Sequence, residues 1–391
     1  MLLVPSSYAQ KKEISDARTN IKKATNLDKA ETSMRTLLKD SANRRNIKIY
    51  TTLADAVRAQ YEALNEKLYL KQSLDTASLF NMLQKMFVAY ESLDTIDAMP
   101  DEKGRVKTKY REKNAEYLHN YRPNLYNGGL YFIRKNKFSD AFTMMDSYIK
   151  CNEQPLFSAK EYAANDSLTR LAGFWNVFCA HKMNDAKKIL DYKDLALTNP
   201  EYRLSVLYIL TETYLNQKDT LNYLKTLKTG FEEDKNTTFF FTRLVDYYNE
   251  KNQLDTVSNI IDRALANDND NKLYLFAKSN VLLNMGKYSE CITICDTLLA
   301  RNDTVPDIYF NAGVSYINMA VLLEKTGDLS KATRNKILGY YKMSRPYMEK
   351  YRQLAPDQKE RWASSLYNIY LKLNMGKQFE EINTLIKKMR K

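Results

Sequence analysis

The sequence predicts an all-α protein built as a solenoid of antiparallel helix pairs, and three observations lead there. A short phrase recurs as Lys135-Asn-Lys-Phe-Ser-Asp-Ala141, Lys251-Asn-Gln-Leu-Asp-Thr-Val257 and Met285-Gly-Lys-Tyr-Ser-Glu-Cys291, with a weaker copy at Gln217-Lys-Asp-Thr-Leu-Asn-Tyr223. Its large position falls at Phe138, Thr220, Leu254 and Tyr288, and the last three are evenly spaced. A period of roughly 34 residues means stacked units, each too small to bury its own apolar face. Second, the 10 Gly and 8 Pro in 391 residues fall mostly at the ends of apolar-periodic segments. Third, many of the 29 Tyr share helical spacing with Leu, Ile and Phe.

Taken from the N-terminus, residues 1–11 form the first segment. Leu2-Leu-Val4 followed by Pro5-Ser-Ser-Tyr-Ala9 reads as the end of a secretory signal, with Ala9 at the cleavage position and no positive segment before it. The expectation is a soluble, exported, periplasmic protein; the alternative is an ordinary frayed terminus. The first cysteine is Cys151, so no lipoprotein processing site is read, and no stretch reaches the ~20 apolar residues of a membrane-spanning helix.

Residues 12–122 read as divergent helical pairs continuous with the array. Ile14, Ala17, Ile21 and Ala24 are helix-spaced, Leu27 to Leu38 returns, and Ile49 to Asn65 and Ala77 to Leu93 are longer amphipathic helices. Ala98 to Gly104 is a turn cluster, and Arg105 to Tyr121 a highly charged helix. From 123 to 391 the helices come in regular pairs. Leu125–Ile133 pairs with Phe138–Tyr148, and Ser167–Ala180 with Asp185–Leu195. Tyr202–Leu215 pairs with Thr220–Thr229, which Gly230 closes as a C-terminal glycine. Thr238–Asn249 then pairs with Leu254–Ala266, and Leu273–Met285 with Tyr288–Leu299. The repeat slips early, where its copy around Met183 is degenerate. It slips again late: a helix from Tyr309 runs on through Lys325, its partner Tyr341–Leu354 is delayed, and an irregular inserted segment of about 19 residues lies near 324–340. Trp362–Leu373 and Phe379–Met389 form a last, basic pair.

These residues carry a resemblance. Leu125, Gly128-Gly129, Phe132, Phe138, Ala141 and Met145 follow in order the pattern of the tetratricopeptide repeat (TPR) family. Tyr248, Leu254, Ile261 and Ala264 do the same, as do Gly286, Tyr288 and Cys291, and Tyr309 to Gly313 with Pro356. The chain resembles exported TPR proteins of the Bacteroidota type. The resemblance implies a right-handed superhelical solenoid whose first helices line a concave, protein-binding face. On this chain that face presents Tyr126, Asn127, Tyr208, Glu212, Arg243, Asp246, Phe276, Asn280, Phe310 and Asn311. Aromatics with amides and mixed charges suit a peptide. The family's carboxylate clamp is not reproduced, since Arg243 and Asn280 alone do not make one.

Charge is uneven. Residues 330–391 hold 15 Lys+Arg against 5 Asp+Glu, within an overall net charge of +13. This block is read first as a solvated face of the capping helices; peripheral contact with an anionic surface is the alternative. Catalytic signals are few: two His, no His-Glu-x-x-His, no Gly-x-Ser-x-Gly and no phosphate loop. Cys291 and Cys295 lie four apart without further ligands, so no metal or other cofactor is expected. All four cysteines read as small core residues, with a Cys151–Cys179 bridge as the alternative. The expected function is a non-catalytic adaptor or scaffold for another protein in the cell envelope. A sugar-binding helical repeat at the outer membrane and a cytoplasmic nucleic-acid-binding regulator are the competing readings.

Overall fold

The computed structural model describes residues 6–234, 237–301 and 304–389. They divide into two compact units, Met1–Thr226 and Leu227–Lys391. The reading of Leu2 to Pro5 lies outside the described residues, while Ala9 falls inside the first helix.

The first unit opens with two hairpins, α1 (Ser6–Lys22) with α2 (Leu27–Leu37) and α3 (Ile47–Tyr69) with α4 (Thr76–Asp97). A single helix α5 (Arg111–His119) follows, then the pair α6 (Arg122–Arg134) and α7 (Phe138–Lys150). A 3-10 turn at Pro155–Lys160 and the one-turn α8 (Tyr162–Asn165) lead to α9 (Leu168–Lys182), α10 (Ala186–Leu197) and α11 (Arg203–Asn216). The unit boundary falls within α12 (Thr220–Glu233). The second unit continues with α13 (Phe239–Glu250), α14 (Leu254–Asn267), α15 (Lys272–Asn284) and α16 (Tyr288–Leu299). It ends with α17 (Pro306–Lys325), α18 (Lys331–Leu354), α19 (Lys359–Lys372) and α20 (Gly376–Met389).

The recurring phrase is a turn. Asn136, Asn184, Lys218, Asn252, Gly286 and Asn374 each follow a first helix in the left-handed region, with φ between 53° and 75°. Two backbone bonds close each turn in the same way. At Asn252, for example, its own N–H reaches Asn249 O at 2.9 Å, and the next N–H, of Gln253, reaches Tyr248 O at 2.9 Å. That is a Schellman cap, which satisfies the last carbonyls of the helix and reverses the chain. Asn and Gly tolerate the conformation best, which explains why they recur there. Turns this short force antiparallel neighbours.

The turns correct the sequence register. Asn184, Lys218, Asn252 and Gly286 are evenly spaced by one period, without a slip. The copy around Met183 is therefore in phase. The irregularity lies before it, where Asn136 and Asn184 stand almost one and a half periods apart.

Three further expectations change. The charged helix of 105–121 begins only at Arg111, because Asp101 accepts from the backbone N–H groups of Lys103 and Arg105 and pairs with the Arg105 guanidinium, which holds that stretch as a turn. Gly230 does not end α12 but lies inside it. A Cβ there would stand 2.4 Å from the Phe240 ring, so the glycine provides space for α13. The segment 324–340 is not an irregular insert. It lengthens two helices, giving an α17 of 20 residues and an α18 of 24, and its only non-helical part is the turn 326–330. Ser330 caps α18 by accepting from Thr333 N at 3.2 Å, and Ile337, Tyr340 and Tyr341 pack into the core, which keeps the added turns helical.

Cores run through the middle of each unit. In the first, Leu83, Met86, Phe87, Phe132 and Met145 are fully buried; in the second, Leu366, Met348 and Ile382 form one cluster and Leu298, Ile308 and Ala312 another. All four cysteines are free and buried, so Cys151 and Cys179 are not bridged. Cys291 and Cys295 belong to the second unit's core, where Cys291 donates to Ser279 O at 3.2 Å. Among the described residues no helix is long and apolar enough to cross a membrane.

Candidate protein-binding surface

The left-handed turns give the first helices that precede them a common origin, and counting back from them sorts the sequence-named residues. Ten positions before the turn stand Tyr126, Tyr208 and Phe276, and Phe310 continues the series one period beyond Phe276. Six positions before it stand Glu212, Asp246 and Asn280. The two series are four positions apart on a helix and so share a face. Asn127 and Arg243 sit one position later than the first series, as does Asn311 relative to Phe310, and that step rotates a side chain by about 100° around the helix. The same count exposes two members that the sequence reading missed, Phe174 on α9 and Thr242 on α13; stepping one period either way from Tyr208 would have found them.

In the first unit, Tyr126 is buried at 8% exposure rather than open in a groove. Its hydroxyl accepts from Trp175 Nε1 at 3.2 Å, its ring packs on Tyr148, and burial pushes its phenol pKa up. Asn127 is exposed beside it. Phe174 stacks on Tyr202 with ring centroids 4.2 Å apart, so the aromatic stripe between α6 and α11 is continuous packing. Tyr208 is half-buried, while Glu212 is exposed with its carboxylate 4.0 Å from His181 Nε2. His181 and Glu212 line a cleft of about 250 Å³ with Asn184, Asn216 and Gln217, so the α9–α11 surface offers polar groups at the end of its apolar stripe.

In the second unit, Asp246 is exposed and Phe276, Asn280 and Phe310 are half-buried. Arg243 lies over the ring of Phe239 on its own helix, 3.6 Å from the centroid. Asn311 is buried at 3% exposure and acts as a brace between α17 and α15. Its side-chain amide donates to Ser279 Oγ at 3.0 Å and to Asn280 Oδ1 at 2.6 Å. The structure thus brings Asn280 and Asn311 together and removes Asn311 from the surface. Phe310 is covered on one side by Arg361, whose guanidinium carbon lies 4.0 Å from the ring centroid and whose Nη1 pairs with Asp307 at 2.6 Å. Arg361, on α19, is a further residue that sequence reasoning missed, because its partners lie far away along the chain.

Larger clefts lie elsewhere. One of about 810 Å³ opens beside Asn152, Asp166, Arg170 and Asn199, at the ends of α7 and α10. Another of about 500 Å³ lies among Lys228, Tyr248 and Arg263, on α12, α13 and α14. Neither is lined by a residue of the expected concave face. Among the described residues no group of His, Cys, Asp and Glu could hold a metal ion.

No protein-family model matches the chain, and no curated protein matches it. Among solved structures, the TPR domain of P58(IPK) is 11% identical with a TM-score of 0.27, over 89% of this chain and 98% of that one. A circular tandem repeat protein with novel repeat topology and enhanced subunit contact surfaces is 12% identical with a TM-score of 0.25, over 97% and 88%. Superpositions at this level carry no weight for this chain. Its character as a TPR-like array of helical repeats rests on its own capped turns and their even register.

Proposed function

We propose that this chain is a non-catalytic adaptor that holds a segment of another protein against the first-helix face of its repeats. The observation that carries the reading is the register: at fixed offsets from a left-handed turn, α11 and α15 present an aromatic, Tyr208 or Phe276, with Glu212 or Asn280 one turn later, and α13 presents Thr242 and Asp246 at the same two places. The aromatic members are mostly committed to packing, so polar residues meet the partner, Glu212 in the first unit and Asp246 with Asn280 in the second, with Tyr208 and Phe276 as the apolar floor of their own helices. Such a surface recognises backbone amides and apolar side chains of an extended peptide. The run Leu2 to Ala9 supports a setting in the cell envelope, where fractionation should recover the protein.

A photo-crosslinking residue placed at Asp246 should capture a discrete partner, whereas one at the exposed Thr293, on a return helix, should not. Glu212→Ala with Asp246→Ala, both at exposed positions, should weaken capture at least tenfold without lowering the unfolding midpoint. Capture from Thr293 alone, or capture unchanged in the double variant, would refute the proposal.

A further inference from the structure

The lengthened hairpin α17–α18 carries a surface that the peptide-binding reading does not use. From Lys331 to Met348 the helix α18 has five cations, Lys331, Arg334, Lys336, Lys342 and Arg345, and no carboxylate. Lys331, Arg334, Leu338 and Lys342 follow one another at steps of three, four and four, so they form one exposed stripe about 17 Å long. Among the described residues, Lys331, Arg334, Lys336 and Lys342 have no ion-pair partner. The acids nearby are engaged elsewhere. Asp328 accepts from Ser330 N at 2.8 Å and from the Thr333 hydroxyl at 2.5 Å. Glu324 takes Lys372 at 2.7 Å, and Glu349 pairs with Arg345 at 3.8 Å and accepts from Tyr370 at 3.1 Å. At the tip Leu329 is 73% exposed, with Leu322 and Leu338 also open to solvent.

We propose that this hairpin docks on an anionic phospholipid surface, with Leu329 entering the headgroup layer and the α18 stripe lying along it. Cations without competing acids, interspersed with exposed leucines on a rigid helix, are the features of an interfacial element. The aromatic platforms on which single-stranded nucleic acid stacks are absent from the exposed residues of the stripe. The helical N-terminus at Lys331, fixed by the Ser330 cap, adds positive potential at the tip.

Sedimentation of the full chain with vesicles tests this. Binding should be strong on vesicles of two parts phosphatidylcholine to one part phosphatidylglycerol, weak on pure phosphatidylcholine, and lost as salt rises. Replacing Lys331, Arg334 and Lys342 together by glutamine should cut affinity about fivefold per charge, about a hundredfold in all. Lys331→Arg with Lys342→Arg should retain it, and Leu329→Ser should reduce it severalfold. Equal binding to neutral vesicles would overturn the proposal. So would absence of vesicle binding together with salt-sensitive capture of an RNA or DNA oligonucleotide that the glutamine variant loses. Unchanged circular dichroism in the glutamine variant separates loss of docking from loss of fold.

Discussion

Between Asn136 and Asn184 the chain departs from its repeat register by adding residues that turn inward. Between Gly286 and Asn374, where more than two and a half periods stand in place of two, it departs by adding residues that bury one face and leave the other exposed. The inward break is organised around Arg122, which is only 5% exposed. Its guanidinium carbon lies 3.8 Å from the Tyr148 ring centroid and 3.9 Å from that of Tyr162, so the group is sandwiched between α7 and the added segment. Nη1 pairs with Asp166 at 2.7 Å, and Asp166 also accepts from the Tyr148 hydroxyl at 2.6 Å and from Thr169 at 3.0 Å. Tyr162 in turn stacks on His119 of α5, joined by a 2.8 Å hydrogen bond. In the outward break, the stretch from Lys331 to Met348 carries five cations and no carboxylate to answer them. Complementary charge lets the first addition bury its ions, whereas the second buries its apolar face and keeps its cations in solvent.

The most damaging test of the contrast removes Arg122. Arg122→Met leaves Asp166 and the two tyrosines without their centre, and loss of one partner of a buried pair costs about 3–5 kcal/mol. Urea unfolding should show that loss. The glutamine triple variant of α18 should stay within about 0.5 kcal/mol of the parent. Equal stabilities for Arg122→Met and the parent would mean that the added segment is not held by this centre.

Acidity probes the same region from the other side. Although burial alone would raise it, hydrogen bonds from Tyr148 and Arg122 hold the Asp166 carboxyl below the usual carboxylate range. Its stabilisation is therefore complete above the unfolded value and is lost as pH falls through the folded one. Glu91, on α4, behaves oppositely: burial pushes its carboxyl up to about 7. A raised acid contributes stability below its ordinary value of 4.5 that is lost as pH rises through about 7. Glu91→Gln should thus stabilise the protein at pH 8 and flatten the decline in unfolding free energy between about pH 4.5 and 7. An unaltered pH profile would count against a buried Glu91. The region beside it behaves consistently, since burial, reinforced by the Glu91 carboxylate, also pushes the Cys151 thiol up to about 12.

Much of the fold was legible in the sequence because helix pairs leave two periods in it, the turn of each helix and the interval between capped turns. What was not legible depends on distant partners. Gly230 resembles a helix end until Phe240 occupies the space above it. The Arg122–Asp166 pair joins residues far apart in the chain, and no local pattern announces it. Lys331 to Tyr340 looks irregular because it is polar and contains Gly339, although Ser330 and Thr333 carried the cap that starts the helix. The candidate surface divides in the same way: register places Glu212, Asp246 and Asn280 together in type. Burial of Tyr126 and Asn311 follows only from Trp175 and from Ser279 with Asn280.

The smallest expected effect concerns Gly339, in the middle of α18, where an added Cβ would meet nothing within 4 Å. Glycine inside an exposed helix costs about 0.5–1 kcal/mol relative to alanine, mainly because it loses more backbone freedom on folding. Gly339→Ala should therefore raise the stability of the second unit by that amount. At Gly129, between α6 and α7, a Cβ would stand 2.5 Å from Met145, so the same substitution should instead be neutral or destabilising. Opposite signs from one chemical change would show that the face of α18 at Gly339 is solvated, whereas α6 and α7 pack closely at Gly129. Gly339→Ala also leaves the cationic stripe intact, so vesicle binding should be unchanged in it. A fall in stability at Gly339 would mean that the space beside it is filled by a neighbouring side chain of the same chain.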